Sequence, residues 1–360
     1  MIRLVHAADL HLDSPFELLG ERAEQRRAEQ RETLERIAEL CRTRRADILL
    51  LAGDLFDSGA AYAETLRSLA AALGGLEIPV LISPGNHDFC APASPYMRAK
   101  WPQNVTVFTR PAMECVTLDA LGVRVWGAGY ADISCPPLLR GFSVPKEQGI
   151  IDIGLLHAQV GMPASPYCPV SEDDIAASGL DYLALGHVHT YSGLRRAGGT
   201  FYAWPGCPEG RGFDECGDKG VICAELDAGE CRAEQVTVCR RRYEKICVPC
   251  GDGWESSLPE GTQEDIYRII LTGERAEAPN LQALREQLEP RFFALELIDA
   301  TVPARDVWDG AEQDSLRGLF LRKMRARLNA AADDAERESI VRAVRWGLAA
   351  LDNGEAVERL

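Results

Sequence analysis

The stretches Ile2-Arg3-Leu4-Val5-His6-Ala7-Ala8-Asp9-Leu10-His11 and Asp47-Ile48-Leu49-Leu50-Leu51-Ala52-Gly53-Asp54 decide the fold class. Each begins as an apolar run too short for a buried helix and stops abruptly in a polar or glycine-containing turn. Pro79 to Ser83, Ile150 to His157 and Asp181 to Leu185 repeat the pattern, so all five read as buried strands. Between the first two, Arg22 to Arg45 sets Leu34, Ile37, Ala38 and Cys41 three and four residues apart on an otherwise charged segment. That spacing predicts an amphipathic helix packed on a sheet. Strands alternating with such helices over residues 1 to about 230 define an α/β layered fold.

Farther along, Val236 and Val238, then Ile246 and Val248, alternate again, with a turn at Asp227-Ala228-Gly229. The second sheet is expected to finish there. Polar sequence from Pro249 to Gly261 breaks the pattern, and Asp265 to Leu271 followed by Asn280 to Leu288 reads as a strand and a helix. Leu316, Leu319, Phe320, Met324 and Leu328, then Ile340, Val341, Val344, Leu348 and Leu351, mark two amphipathic helices. The expected division is residues 1–240 as an α/β domain, 241–305 as a small α+β domain and 306–360 as a helical hairpin.

Charge limits what function can be argued. Against 39 Lys and Arg stand 55 Asp and Glu, a formal net charge of −16. A duplex-binding surface displaces counterions with basic side chains, so nucleic acid cannot be inferred from the overall balance. No apolar run approaches the roughly 20 residues of a membrane span. The start shows no basic segment followed by an apolar stretch and a cleavage site, so a cytoplasmic chain with no membrane partner is expected. Its 12 scattered cysteines then read as reduced thiols. Cys247 and Cys250 form a C-x-x-C pair with no second pair nearby to complete a zinc site.

Chemistry collects where the expected strands end, the place where open α/β sheets hold ligands. Asp9-Leu10-His11, Gly53-Asp54, Gly85-Asn86-His87-Asp88, His157 and Gly186-His187-Val188-His189 all lie there, and they take five of the chain's 6 histidines. Asp9, Asp54 and Asn86 supply oxygens; His11, His157, His187 and His189 supply imidazoles. These seven donors suffice for two divalent cations if one carboxylate is shared. Oxygen and nitrogen without thiolate suit Mn, Fe or Zn better than Ca. Phosphate esters are anionic, and a cation pair supplies both positive charge and an activated water. His6, in the first strand, reads as a buried, hydrogen-bonded side chain.

These residues resemble the calcineurin-like metallophosphoesterase superfamily, whose pattern is D-x-H, G-D, G-N-H-D, a lone H and G-H-x-H. The resemblance implies a four-layer α/β/β/α sandwich. It also implies one cation on Asp9, His11, Asp54 and His189 and another on Asp54, Asn86, His157 and His187. By the same resemblance His87 contacts the substrate phosphate or protonates the leaving oxygen, work to which imidazole is suited near neutrality, and Asp88 orients it. The wording His6 to Asp13 and Leu51 to Asp57 is similar to the DNA repair exonuclease branch, the SbcD nucleases and their Mre-type relatives. Trp204 to Phe213 is similar to a loop in YhaO-type members. In that branch the small domain caps the site and the C-terminal helices dock on an SMC-like coiled-coil ATPase. Asp57 stands where archaeal and eukaryotic Mre-type nucleases carry a histidine.

The reading is therefore a Mn-dependent phosphodiesterase, a DNA exonuclease or endonuclease subunit acting in repair with such an ATPase. Two alternatives are a metallophosphatase or cyclic-nucleotide phosphodiesterase and a non-catalytic DNA- or ATPase-binding subunit. A homodimer is a further candidate assembly. Arg211 is a candidate phosphate contact, though an exposed surface arginine fits as well. Asp13 and Asp57 fit either hydrogen bonding to ligands or loop capping. The basic run Arg317, Arg322, Lys323, Arg325, Arg327, Arg337, Arg342 and Arg345 fits a solvated face, a partner surface or a DNA-facing patch.

Overall fold

The structure, a computed structural model, describes residues 1–227, 229–250, 253–260, 262–275, 278–303 and 307–351. Two six-stranded sheets bear out the α/β expectation. In the first, β1 (Ile2–Ala7), β2 (Ile48–Leu51), β3 (Val80–Ile82) and β4 (Val105–Val107) run parallel. The second contains β5 (Glu114–Leu118), β6 (Val123–Gly127), β7 (Ile151–His157), β8 (Tyr182–Gly186), β9 (Arg195–Ala197) and β10 (Thr200–Ala203), in the order β9-β10-β8-β7-β6-β5. Its four central strands are parallel.

One sheet assignment from the sequence needs correction. Strands β11 (Gly220–Asp227) and β12 (Glu230–Thr237) complete the first sheet, not the second. The physical reason is that β2 covers only one side of β1, and β11 satisfies the other side antiparallel, with Ile2 opposite Leu226. Ala228, part of the turn expected here, lies outside the described residues.

Alternation along the strands divides their side chains between two cores. Leu4, Leu50 and Leu81 meet Val125, Ile153, Leu155 and Tyr182 of the other sheet. Val5, Ala7, Leu49 and Leu51 point the opposite way. They pack on Leu34, Ile37 and Cys41 of α1 (Ala23–Thr43) and on Leu69 and Leu73 of α2 (Ala63–Gly74). Beyond the second sheet, Leu156, Leu183 and Leu185 are covered by loops and the short helix Glu172–Ala177, through Ile175. The strands are thus held by burial on both faces, which fixes where their ends emerge.

The chain divides into two compact units. The first comprises Met1–Ile246, Pro259–Arg268 and Glu286–Glu296; the second comprises Cys247–Leu258, Ile269–Arg285 and Leu297–Leu360. The strand and helix expected after Gly261 are present as Ile266–Thr272 and Leu281–Leu288. The hairpin helices are Leu316–Ala330 and Asp334–Leu351. Their seam is Ala311, Leu321, Val344 and Leu348, flanked by Phe320 and Met324. Leu316 and Leu319, expected on the packed face, are 70% and 46% exposed, because the seam lies about half a turn round, at Leu321. Residues 304–306 and 352–360, at the limits of the expected hairpin, lie outside the described residues. Among those described, no helix is long and apolar enough to cross a membrane.

Leu50 is fully buried between the sheets. Leu50→Ala should destabilise the protein by about 2–5 kcal/mol, whereas Leu316→Ala should stay within about 0.5 kcal/mol. Denaturant unfolding of both variants checks this; equal effects would contradict the packing described.

Candidate metal centre

All the expected donors lie in the first unit, where β1, β2, β3, β7 and β8 end. Leaving those strands is conformationally costly. Asp9, His11, Asp54 and His187 have positive φ, at 54°, 43°, 49° and 97°. Such backbone costs on the order of 1–3 kcal/mol per non-glycine residue and persists only where the surroundings enforce it. Here the enforcement is visible. Asp9 and His11 donate their amides to the carbonyls of Gly53 and Asp54, each at 2.9 Å, so the two loops continue side by side past the sheet. Gln30 of α1 holds the same turn, its amide nitrogen 2.9 Å from the carbonyls of both Leu10 and His11.

Asp54 is the centre of the arrangement. Its Oδ1 accepts the His87 amide at 3.0 Å. Oδ2 faces the other donors, 3.3 Å from His157 Nε2 and 3.8 Å from His11 Nε2. On one side His11 Nε2 and His189 Nε2 are 3.2 Å apart, and His189 Nε2 is 3.7 Å from Asp9 Oδ1. On the other, Asn86 Oδ1 is 3.1 Å from His157 Nε2 and 3.2 Å from His187 Nδ1. The structure therefore brings all seven expected donors together, with Asp9 close both to His11 and His189 and to Asp54 and His157.

Hydrogen bonding behind the rings fixes which nitrogen faces inward. His157 donates through Nδ1 to the Ala52 carbonyl at 2.9 Å, and His189 through Nδ1 to Glu215 Oε1 at 2.7 Å. Their Nε2 atoms then point at other acceptors. Imidazole nitrogens and oxygens converging at such distances repel unless a positive charge lies among them, so the donor set fits divalent cations. Protons give part of the same relief. Burial lowers the His157 pKa, but the Asp54 carboxylate outweighs it and pushes the ring up to about 9. Burial holds His11 and His187 down at about 4, the neutral form a metal ligand needs. Asp9, fully buried, is pushed up to about 6.

Two glycines mark where backbone must come close. A Cβ on Gly53 would enter the His157 imidazole, and one on Gly85 would enter the Asp54 carboxylate.

His87 is exposed beside this cluster, with Nδ1 3.1 Å from the Asp57 carbonyl. Asp88 is placed differently from the expectation that it orients the His87 ring. Its Oδ2 accepts the amides of Leu55 and Phe56 at 2.6 and 3.1 Å and the Tyr96 hydroxyl at 2.5 Å, and its Oδ1 accepts the Gly85 amide at 2.8 Å. A carboxylate so occupied holds the loop that carries His87, not the ring. Asp13 accepts the Tyr62 amide at 2.9 Å and the Thr65 hydroxyl at 2.6 Å, tying its loop to the start of α2. Arg211 is mostly buried, hydrogen-bonded to Glu215 and Asp57. His6 is buried, 3.1 Å from both the Tyr182 hydroxyl and the Leu185 carbonyl.

Gln30, Tyr96 and Glu215 lie in none of the short motifs that mark the donors. Glu215 lies six residues beyond Glu209 in a stretch without periodicity, and only the tertiary fold shows which of the two faces His189.

Buried donors gathered from the ends of parallel strands in two packed sheets are the mark of a metallophosphoesterase. Residues 2–191 match the family model Calcineurin-like phosphoesterase, and the chain belongs to that family of hydrolases acting on phosphoester bonds, whose fold implies two divalent metal ions. Among curated relatives, the chain is 28% identical over 335 residues to the protein named Uncharacterized metallophosphoesterase YhaO of Bacillus subtilis, covering 88% of this chain and 73% of the relative. It is 26% identical over 281 residues to the DNA double-strand break repair protein Mre11 of Methanopyrus kandleri, covering 71% of this chain and 61% of that protein. A protein of the same name from Aeropyrum pernix is 27% identical over 325 residues, with coverage of 82% and 73%.

Gly85→Ala should lower Mn affinity by on the order of tenfold or more by displacing Asp54, whereas Gly59→Ala, which opens into free space, should not. Equilibrium dialysis against Mn measures both. Equal affinities would mean that the Gly85 contact does not shape the centre.

Proposed function

We propose that the chain is a two-metal-dependent phosphodiesterase that cleaves DNA, the nuclease subunit of a repair complex. The observation that carries this reading is the position of Asp54 Oδ2, within 3.8 Å of imidazoles from both donor groups. One cation would be held by Asp9, His11, Asp54 and His189 and the other by Asp54, Asn86, His157 and His187. Manganese fits the oxygen and nitrogen set, with iron or zinc as substitutes. When bound, such a pair supplies Lewis acidity and a hydroxide equivalent near neutral pH.

The protein's own groups have separable tasks. His87, exposed beside the donors, would meet a phosphate oxygen and give a proton to the departing oxygen. Its main-chain amide is engaged by Asp54, so substrate side and metal side are fixed by one residue pair. Asp88, through the Leu55, Phe56 and Gly85 amides, keeps their two loops in register.

DNA as substrate is supported by two relatives that carry the name DNA double-strand break repair protein. The residues after 240 would serve as a cap and a docking element. Leu316, Leu319 and Trp346 are exposed apolar side chains on the terminal helices, suited to an SMC-like coiled-coil ATPase. Such a partner would supply basic surface to offset the net charge of −16. That same acidity favours the second reading, a small phosphoester as substrate.

Purified protein with Mn should cleave end-labelled DNA and bis(p-nitrophenyl) phosphate in preference to p-nitrophenyl phosphate. His87→Ala should reduce turnover by about 10²–10⁴-fold with Mn stoichiometry unchanged. Turnover of the monoester alone would establish the metallophosphatase reading instead, and metal binding without any turnover would leave a binding subunit.

A further inference from the structure

Behind the His11 and His189 rings lies a chain of charged groups that the family pattern does not name. Glu215, buried at 4% exposure, accepts His189 Nδ1 on Oε1 at 2.7 Å. Its carboxylate also takes Arg211 Nη2 at 2.8 Å on Oε1 and the Arg211 amide at 2.8 Å on Oε2. Arg211 Nη1 continues to Asp57 Oδ1 at 3.0 Å, and that same oxygen stands 3.3 Å from His11 Nδ1. Ser14 adds a hydrogen bond to it at 3.1 Å. The approach of Arg211 Nη2 to His189 Nδ1, 3.1 Å, is not itself a hydrogen bond, since the ring hydrogen is already given to Glu215. The guanidinium is there because two carboxylates hold it.

This makes the two halves of the centre unequal. His157 is oriented by a main-chain carbonyl, Ala52, which no side-chain change removes. His189 is oriented by the Glu215 side chain, whereas His11 Nδ1, buried without a hydrogen-bond partner, faces the Asp57 carboxylate at 3.3 Å, and the inward nitrogens of the two rings stand 3.2 Å apart. Holding them there needs support from behind. We propose that Asp57, Arg211 and Glu215 form a carboxylate–guanidinium–carboxylate clamp that positions His11 and His189 and so sets the affinity of one cation position independently of the other. Asp57 and Glu215 are positioning residues, acting through the two imidazoles. Arg211 couples them and offsets the repulsion between the buried Glu215 carboxylate and the half-buried Asp57 carboxylate.

The loop bearing Arg211 and Glu215 is itself pinned. Glu209, 1% exposed, accepts hydrogen bonds from Arg26 at 2.8 Å, Thr33 at 2.9 Å, Arg36 at 2.5 Å and the Arg240 amide at 2.7 Å. The clamp therefore has a rigid base on α1.

The inference rests on the two-cation reading above, and its test separates the two. The full chain, stripped of metal, is titrated with Mn, with bound ions counted by elemental analysis and spin coupling followed by electron paramagnetic resonance. Wild type should take two ions and give a coupled dinuclear spectrum. Glu215→Ala and Asp57→Ala should each weaken one position by on the order of 10–100-fold, leaving one ion and an uncoupled six-line spectrum at limiting Mn. Glu215→Gln, whose amide oxygen still accepts His189 Nδ1, should recover part of the loss. If Glu215→Ala does not fold, Asp57→Asn and Glu215→Gln carry the comparison. Variants that bind two ions with wild-type affinity and the coupled spectrum overturn the clamp alone. Wild type binding fewer than two ions overturns the two-cation reading and the clamp with it.

Discussion

One carboxylate must face two groups of donors at once, and the rest of the fold is arranged to let Asp54 do so. With Oδ1 committed to the His87 amide, the side chain cannot rotate freely, and Oδ2 is left between the imidazoles of β7 and of the β1 loop. Asp54 is 2% exposed, its burial opposed by the His157 charge, which holds its carboxyl well below the usual range. Removing either partner would leave a buried charge uncompensated, a loss of several kcal/mol. The centre is thus poised for cations even when only protons are present to balance it.

Such a site opposes folding locally. Four donor residues adopt left-handed backbone, and several carboxylates and imidazoles are withdrawn from water. The opposing contribution comes from the sheets, whose inner strands bury apolar side chains on both faces. Regular packing below, strain at the strand ends and chemistry above is the division expected where a rigid scaffold positions a functional site.

The sequence made much of this legible, and unevenly. Apolar runs such as Ile48–Leu51 and Tyr182–Gly186 are buried on both faces, so composition alone marks them. Strand β4, three residues long, and the edge strand β5, whose side chains are at most half-buried, have no such signal. The pairing of β11 with β1 depends on which edge is open, information that resides in topology. In the helical hairpin, Leu316 and Leu321 are equally apolar, and only packing against Val344 selects the second. The donors were legible because histidine is rare in this chain and its motifs are short and local. Glu215, Gln30 and the true partners of Asp88 were not, since their roles arise from hydrogen bonds across long sequence separations.

Diffraction from crystals soaked in manganese, recorded at the manganese absorption edge, tests the central claim most directly. The account predicts two anomalous peaks roughly 3.5–4 Å apart. One would lie among Asp9, His11 and His189, the other among Asn86, His157 and His187, and both would contact Asp54 Oδ2. A single peak, or two that do not share Asp54, would contradict it.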